Sequence, residues 1–163
     1  NNFLKTIKVN AKLNNLKLLA KKGSLFIPWK NFKFDFIIND VSGISEKLAN
    51  ISPWFKNVSC KSGIDGTKLT TKILIEAKKY LTKKGVICFP ILSLSNEKKI
   101  LKHAKKNFKY VKRIGFKEWT LPSNMLRHYK VLKNLKKKGN ICYKKKFGLI
   151  TWTTSIYLAY NKK

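Results

Sequence analysis

The continuous apolar run VICFPIL, residues 86–92, most constrains the fold. A strand covered on both faces in a parallel sheet has this pattern, because neither of its faces meets water. Amphipathic, helix-like patterns precede the run at residues 66–83 and follow it from Ser95 or Asn96 to about Asn107. A strand between two such helices predicts an α/β layer architecture.

The rest of the chain continues this alternation. Further helix-like segments are residues 3–14 and 123–138, and further strand-like segments are residues 17–20, 34–38 and 110–119, with two more that turn near Phe147 and Gly148 within 141–160. The repeated strand-to-helix order predicts a mostly parallel sheet, and the last two segments predict an antiparallel C-terminal hairpin. No linker or internal repeat divides the sequence, so we expect a single domain over residues 1–163.

The formal net charge of +30 favours polyanionic partners. A field of this size predicts sequence-independent binding of nucleic acid, with a Kd of roughly 10⁻⁴ to 10⁻⁶ M. Among the 37 basic residues, however, only Arg113 and Arg127 are arginine, the residue whose paired hydrogen bonds serve sequence-specific readers. The many Asn and Ile residues also agree with an AT-rich genome, in which codon choice raises the lysine content. Both interpretations of the charge stay open.

Several kinds of site find no support in the sequence. Cys60, Cys88 and Cys142 are odd in number, widely spaced and without a CxxC pair, which predicts small buried residues instead of a disulfide framework or a zinc site. GxGxxG, P-loop and GxSxG sequences are absent. No apolar segment reaches the roughly 20 residues needed to span a bilayer, and the start has no signal-peptide core. We therefore expect a cytoplasmic protein without a bound metal.

The segment FDFIINDVSG, residues 34–43, places Asp40 directly after a predicted strand. Ligands of open α/β sheets bind beyond the carboxyl ends of the strands, where a carboxylate can accept hydrogen bonds from a substrate amine. Ser42 and Gly43 follow, and glycine lets backbone groups approach a ligand closely. A turn or a helix N-cap is the alternative role for this segment.

The chain also contains four tryptophans, Trp29, Trp54, Trp119 and Trp152. We interpret each as packing in the core or in a loop. A platform for stacked nucleotide bases is the alternative, since indole faces stack on bases of any sequence.

Five segments in order resemble the second half of the class I S-adenosylmethionine-dependent methyltransferases. They are NAKLNNL (10–16), KKGSLF (21–26), FDFIINDVSG (34–43), GIDGTKLTTKILIEAKKYLTKKGVICF (63–89) and the strand and helix that follow. The chain is most similar, over residues 2–121, to the small-domain group that methylates ribosomal RNA bases or release-factor glutamine. The resemblance implies a Rossmann-like sheet, S-adenosylmethionine as cofactor, and RNA, the ribosome or a translation factor as substrate.

The resemblance also assigns roles to residues. The segment from Asn39 to Ser42 aligns with the Asn/Asp-Pro-Pro-aromatic loop that holds the target amine in line with the methyl sulfonium. Because the methyl group is already activated, positioning accounts for most of the catalysis and no metal is required. The implied residues are Asp40 and Ser42 for catalysis; Gly23, Ser24, Asn39 and Asp40 for cofactor binding; and Val41, Gly43 and Asp65 for substrate binding.

Two features depart from the family pattern. Val41 and Ser42 replace two prolines and Gly43 replaces an aromatic ring, which predicts a less rigid loop or a different acceptor. No strand with a glycine-rich cofactor loop precedes the first helix, so we expect an N-terminally truncated fragment that is inactive alone. The alternative function is a non-catalytic basic module that binds nucleic acid or the ribosome.

Overall fold

The computed structural model describes residues 2–41 and 43–161, which form helices, strands and two short 3-10 turns at Ile27–Trp29 and Pro53–Phe55. In chain order the elements are α1 (Asn2–Leu13), β1 (Phe34–Ile38), α2 (Glu46–Ala49), α3 (Lys68–Ala77), β2 (Leu81–Leu92), α4 (Glu97–Asn107), β3 (Tyr110–Thr120), α5 (Ser123–Leu126), α6 (Tyr129–Lys137), β4 (Lys144–Lys146) and β5 (Leu149–Tyr160). The chain groups into two compact units, one up to Phe32 and one from Lys33 onward, and each is described by itself. A single domain stays a prediction.

The first unit is built around α1, which confirms the helix predicted over residues 3–14. The helix ends because Asn15 adopts a left-handed conformation, with φ of 52°, and the Leu16 amide donates to the Ala11 carbonyl at 2.8 Å. The strand predicted over residues 17–20 is wrong, since this segment has no strand partner within the described part of the chain. A strand-like side-chain pattern forms a strand only when a neighbour supplies the ladder hydrogen bonds.

The second unit contains a mixed five-stranded sheet in the order β1-β2-β5-β3, with β4 also paired to β5. The α/β architecture is confirmed, but the prediction of a mostly parallel sheet is wrong: β1 and β2 pair in parallel, and the other described pairs are antiparallel. Because β5 opposes both of its long neighbours, β1, β2 and β3 still run in one direction. The pairings change because the last strand lies between β2 and β3 instead of at an edge.

The C-terminal hairpin is confirmed. Strand β4 pairs with the start of β5 across the two residues Phe147 and Gly148, whose φ angles are 47° and 76°. Two consecutive residues with positive φ are typical of the turn that matches the right-handed twist of a two-residue hairpin.

Two predicted helix boundaries need correction. Helix α3 ends at Ala77, and residues 81–83, predicted as helical, open strand β2. Gly85 does not end the helix: it lies within β2, where a Cβ would come 2.8 Å from the Phe34 carbonyl oxygen of the adjacent strand. The helix predicted over residues 123–138 divides into α5 and α6, which meet at His128.

The core covers one face of the sheet and its carboxyl end. Ile87, Phe89 and Ile91 of β2 point to the face on which α4 packs, and the Phe89 ring stacks on Tyr157 of β5 at 5.8 Å. A second cluster, which includes Leu94 and Met125, lies under the loops that follow the strands. Side chains on the opposite sheet face stay half-buried or exposed, so the prediction that the run at residues 86–92 is covered on both faces is wrong.

Candidate functional site

Strand β1 delivers Asn39 and Asp40 to the carboxyl edge of the parallel pair. The Asn39 amide donates to the Cys88 carbonyl at 2.8 Å, which extends the ladder by one residue, and the chain then leaves the sheet. Asn39 is buried, whereas Asp40 is exposed. The structure therefore places Asp40 where the sequence predicted it, directly beyond the end of a strand.

A cavity of about 420 Å³ lies at this position. Asn39, Asp40 and Thr154 contribute its polar groups, and its walls include Pro90 of β2 and Ile156 of β5. The Cys88 thiol also lines it, and burial raises the pKa of that thiol, so the group stays protonated near neutral pH and behaves as an apolar wall. A volume of this size falls within the range of small-molecule sites, roughly 300–1,000 Å³.

Asn39 contains an unsatisfied polar group beside the cavity. Its Oδ1 accepts from the Val41 amide at 3.4 Å, a local contact that turns the chain after the strand. Its Nδ2 is buried and has no hydrogen-bond partner among the described residues. A buried donor without an acceptor costs about 1–3 kcal/mol, a cost that an acceptor atom brought within hydrogen-bond distance would remove.

Neighbouring loops hold the Asp40 loop in place. The Ser45 amide donates to the Leu94 carbonyl at 3.0 Å, which ties the end of this loop to the segment after β2. The Glu46 amide donates to the Gly63 carbonyl at 3.0 Å, and the Gly63 amide donates back to Glu46 Oε1 at 2.7 Å. These hydrogen bonds fix the loop without the two prolines of the family pattern.

Asp65 does not line the Asp40 cavity, and its oxygens are engaged by the protein. Its Oδ1 accepts from the Thr67 amide at 3.2 Å and from the Thr67 hydroxyl at 2.8 Å, while its Oδ2 lies 2.8 Å from Lys99 Nζ. Burial raises the pKa of Asp65, but the Lys99 and Thr67 hydrogen bonds outweigh it and hold the pKa below its ordinary value. Asp65 thus holds the turn before α3, and its role in substrate binding stays a prediction.

The other predicted site residues that the structure describes do not line the Asp40 cavity. Val41 and Gly43 are half-buried beside Asp40, and Ser42 lies outside the described residues. Gly23 and Ser24 belong to the first unit. A Cβ on Gly23 would come 2.4 Å from Pro28 Cγ, and the Ser24 carbonyl accepts from the Ile27 amide, so both residues have local structural roles.

Sequence reasoning missed the β5 side of the cavity. Thr154 and Ile156 line it although they follow Asp40 by more than a hundred residues. Their alternation with buried neighbours in β5 marks them as facing one side of a strand, but no local pattern identifies β2 as the strand beside them.

Within residues 2–41 and 43–161, no three His, Cys, Asp or Glu side chains gather as metal ligands would, and no described helix has the length and apolarity needed to cross a membrane. The cysteines are free; Cys60 and Cys88 are half-buried, and Cys142 is exposed, so its predicted burial is wrong.

Comparison of the chain with models of protein families gives no match, and comparison with curated proteins gives no significant match.

Proposed function

We propose that this chain carries the acceptor-binding part of an S-adenosylmethionine-dependent methyltransferase that acts on RNA or on a translation-associated protein in the cytoplasm. One observation carries the proposal: β1, paired in parallel with β2, ends in a buried Asn39 and an exposed Asp40 that open onto a cavity. Ligands of α/β sheets bind at this kind of edge. The ordered resemblance to class I methyltransferases supplies the type of chemistry.

The residues at the cavity fit a small polar ligand with an apolar part. The unpartnered Nδ2 of Asn39 can donate to an acceptor atom, and the Asp40 carboxylate can accept from an amine. Pro90 and Ile156 form apolar walls. When bound, S-adenosylmethionine supplies a methyl group that is already activated by its sulfonium; Asn39 and Asp40 are the residues of the second unit that would contact it.

In the proposed mechanism Asp40 positions the acceptor. Its carboxylate accepts hydrogen bonds from the N–H groups of the target amine and so directs the nitrogen lone pair toward the methyl group. Such alignment of reacting groups contributes about 7–11 kcal/mol when the geometry is well defined. The hydrogen bonds of Ser45 and Glu46 keep the loop rigid enough for that task, because they join it to two neighbouring loops.

Methyl transfer to RNA and to release factors by the polypeptide encoded by the complete gene tests the proposal. Asp40→Ala should lower transfer by about 100-fold or more, because displaced reactants lose their alignment, while the affinity for S-adenosylmethionine in calorimetry falls much less, because Asp40 is only one of the cofactor contacts. Asp35→Ala is the matched control: Asp35 lies at the opposite end of β1, where it accepts from the Thr82 hydroxyl. Absence of cofactor binding, or equal loss of transfer in both variants, would reject the proposal.

A second function is favoured by the dense exposed lysines of α4. Lys98, Lys102, Lys105 and Lys106 are exposed on this helix, and the chain carries a net charge of +30. A non-catalytic module that binds nucleic acid or the ribosome would show affinity that falls steeply with salt, needs no cofactor and survives Asp40→Ala. An affinity that does not change with salt would exclude this second function.

A further inference from the structure

Three tryptophans meet at the carboxyl edge of the sheet. Trp119 is the last residue but one of β3, Trp152 is its partner on β5, and Trp54 lies in the 3-10 turn Pro53–Phe55. The Trp119 and Trp152 rings stack at 6.1 Å with an interplanar angle of 23°, and the Trp54 ring lies 5.4 Å from Trp152 at 52°. We name these three residues the tryptophan row.

The tryptophan row adjoins the Asp40 cavity. Trp119 Nε1 donates to the Thr154 hydroxyl at 3.1 Å, and Thr154 lines the cavity together with Asp40. Cross-strand partners share one sheet face, so Trp119 and Thr154 lie on the same side of the sheet as the cavity wall at Ile156. A molecule in the cavity could therefore continue onto Trp119.

The outer members of the row keep free indole surface. Trp119 is 40% exposed and Trp54 is 43% exposed, whereas Trp152 between them is 9% exposed and supports both. Contiguous apolar patches that are rimmed by polar residues mark interaction sites, unlike single exposed apolar residues. Trp119 stacks on Trp152 and has the Lys117 ammonium over its ring, so a planar group that stacks on Trp119 takes the place of that ammonium.

Positive charge accompanies the exposed rings. Lys117 Nζ lies 4.2 Å from the centre of the Trp119 ring, and Lys112 lies on the same strand face, since both lysines pair with β5 residues of that side. Both lysines are exposed. Planar aromatic faces beside lysines match the bases and phosphates of an unpaired nucleotide strand better than they match a protein surface, which would present few negative charges at regular spacing.

We propose that the tryptophan row is a stacking track for single-stranded RNA, which leads the nucleotides that flank the target toward the Asp40 cavity. Bases stack on Trp119 and Trp54, and phosphates lie against Lys112 and Lys117. This assignment rests on the proposed function and deepens it: the substrate is RNA that is single-stranded around the modified position, rather than a protein.

Binding of a fluorescein-labelled, unstructured 12-nucleotide RNA to the 163-residue chain, measured by fluorescence anisotropy without cofactor, tests the track. Trp119→Leu should weaken binding about 5- to 150-fold, the range for loss of one stacked base. Trp119→Phe should restore the affinity to within about threefold, since it keeps an aromatic face. Phe116→Leu is the matched control, because Phe116 is 64% exposed on the same strand but pairs with Ser155 on the opposite sheet face.

Lysine variants separate the track from general attraction by charge. Lys117→Ala should weaken binding more than Lys102→Ala, which removes the same charge from α4. Thermal unfolding of each variant identifies any loss of RNA affinity that comes from misfolding. If Trp119→Leu is destabilised, the RNA affinity of Trp119→Phe shows whether loss of the stacked ring or loss of the fold is responsible. The assignment would be overturned if Trp119→Leu and Phe116→Leu bound the RNA with equal affinity. It would also be overturned if a poly-glutamate peptide of equal charge displaced the RNA at equal concentration.

Failure of the track and failure of the proposed function give different results. RNA binding that depends on Trp119, without methyl transfer by the complete gene product, would leave the track standing and reject the enzyme. Methyl transfer to RNA that depends on Asp40 but is unchanged by Trp119→Leu would reject the track and leave the enzyme standing.

Discussion

Gly66 is the residue at which a single methyl group should do most harm to the Asp40 loop. It lies in a turn with φ of +72°, and a Cβ there would come 2.6 Å from the Ile44 carbonyl carbon, 2.8 Å from the Ser45 nitrogen and 2.8 Å from Ser95 Cβ. Two of these atoms are backbone atoms of the segment that follows Asp40. Gly66→Ala therefore forces the two loops apart, because backbone cannot move aside as a flexible side chain can.

The expected magnitude has two parts, and Gly139 separates them. Gly139 has nearly the same φ, +69°, but nothing lies within 4 Å of its Cβ position. Gly139→Ala should cost only the left-handed backbone strain of about 1–2 kcal/mol. Gly66→Ala should add about 1–3 kcal/mol for overpacking, which gives a total of about 2–5 kcal/mol. For a chain of this size the melting temperature should fall by about 2–8 °C and 4–20 °C respectively.

Urea unfolding followed by tryptophan fluorescence measures both variants under the same conditions. The difference between them, not either value alone, reports the close approach of the loops at Gly66. If the two variants lose the same free energy of unfolding, the contacts at Ile44 and Ser45 do not constrain the loop. The Asp40 loop would then not be held in place by its neighbouring loops.

Two further predictions concern stability. Asp65→Asn should lower the free energy of unfolding at neutral pH by about 1–2 kcal/mol. The folded-state pKa of Asp65 is below the ordinary value of 3.8. The stabilisation by the Asp65 carboxylate is therefore complete above that pH and is lost as the pH falls through the folded-state pKa. Urea unfolding at pH 7 and at about pH 2 checks this, and an undiminished difference at the lower pH would contradict it. Leu74→Ala, in a fully buried side chain, should cost about 2–5 kcal/mol, whereas Ile75→Ala, 48% exposed, should cost less than about 1 kcal/mol. Equal losses in these neighbours would show that burial on α3 is assigned incorrectly.

Elements with strong local signals could be predicted from the sequence. Helix α4 begins where its cap was expected, because the Asn96 side chain accepts from the Lys99 amide at 3.0 Å. The turn at Phe147 and Gly148 could also be predicted, because Gly148 adopts a φ of 76° without steric cost, whereas the φ of 47° at Phe147 has no signal in the sequence. Asp40 was located because the periodicity of β1 stops one residue before Asn39.

Features that depend on distant partners could not be predicted. Gly85 resembles a helix stop in the sequence, but the reason for a glycine there is the Phe34 carbonyl on a neighbouring strand. The Lys99 partner of Asp65 lies 34 residues away along the chain. The unpartnered Nδ2 of Asn39 is likewise a property of its packed surroundings, since asparagine after a strand is more often exposed in a turn.

The place of β5 between β2 and β3 determines when the sheet can be completed. Among the described strands, β3 pairs only with β5, which is the last to leave the ribosome during synthesis. Until residues 149–160 have emerged, β3 exposes both of its edges, and such edges are sites of mispairing with other nascent chains. Folding of the second unit therefore cannot be completed before β5 has emerged, and the lysines along β3 reduce aggregation until then.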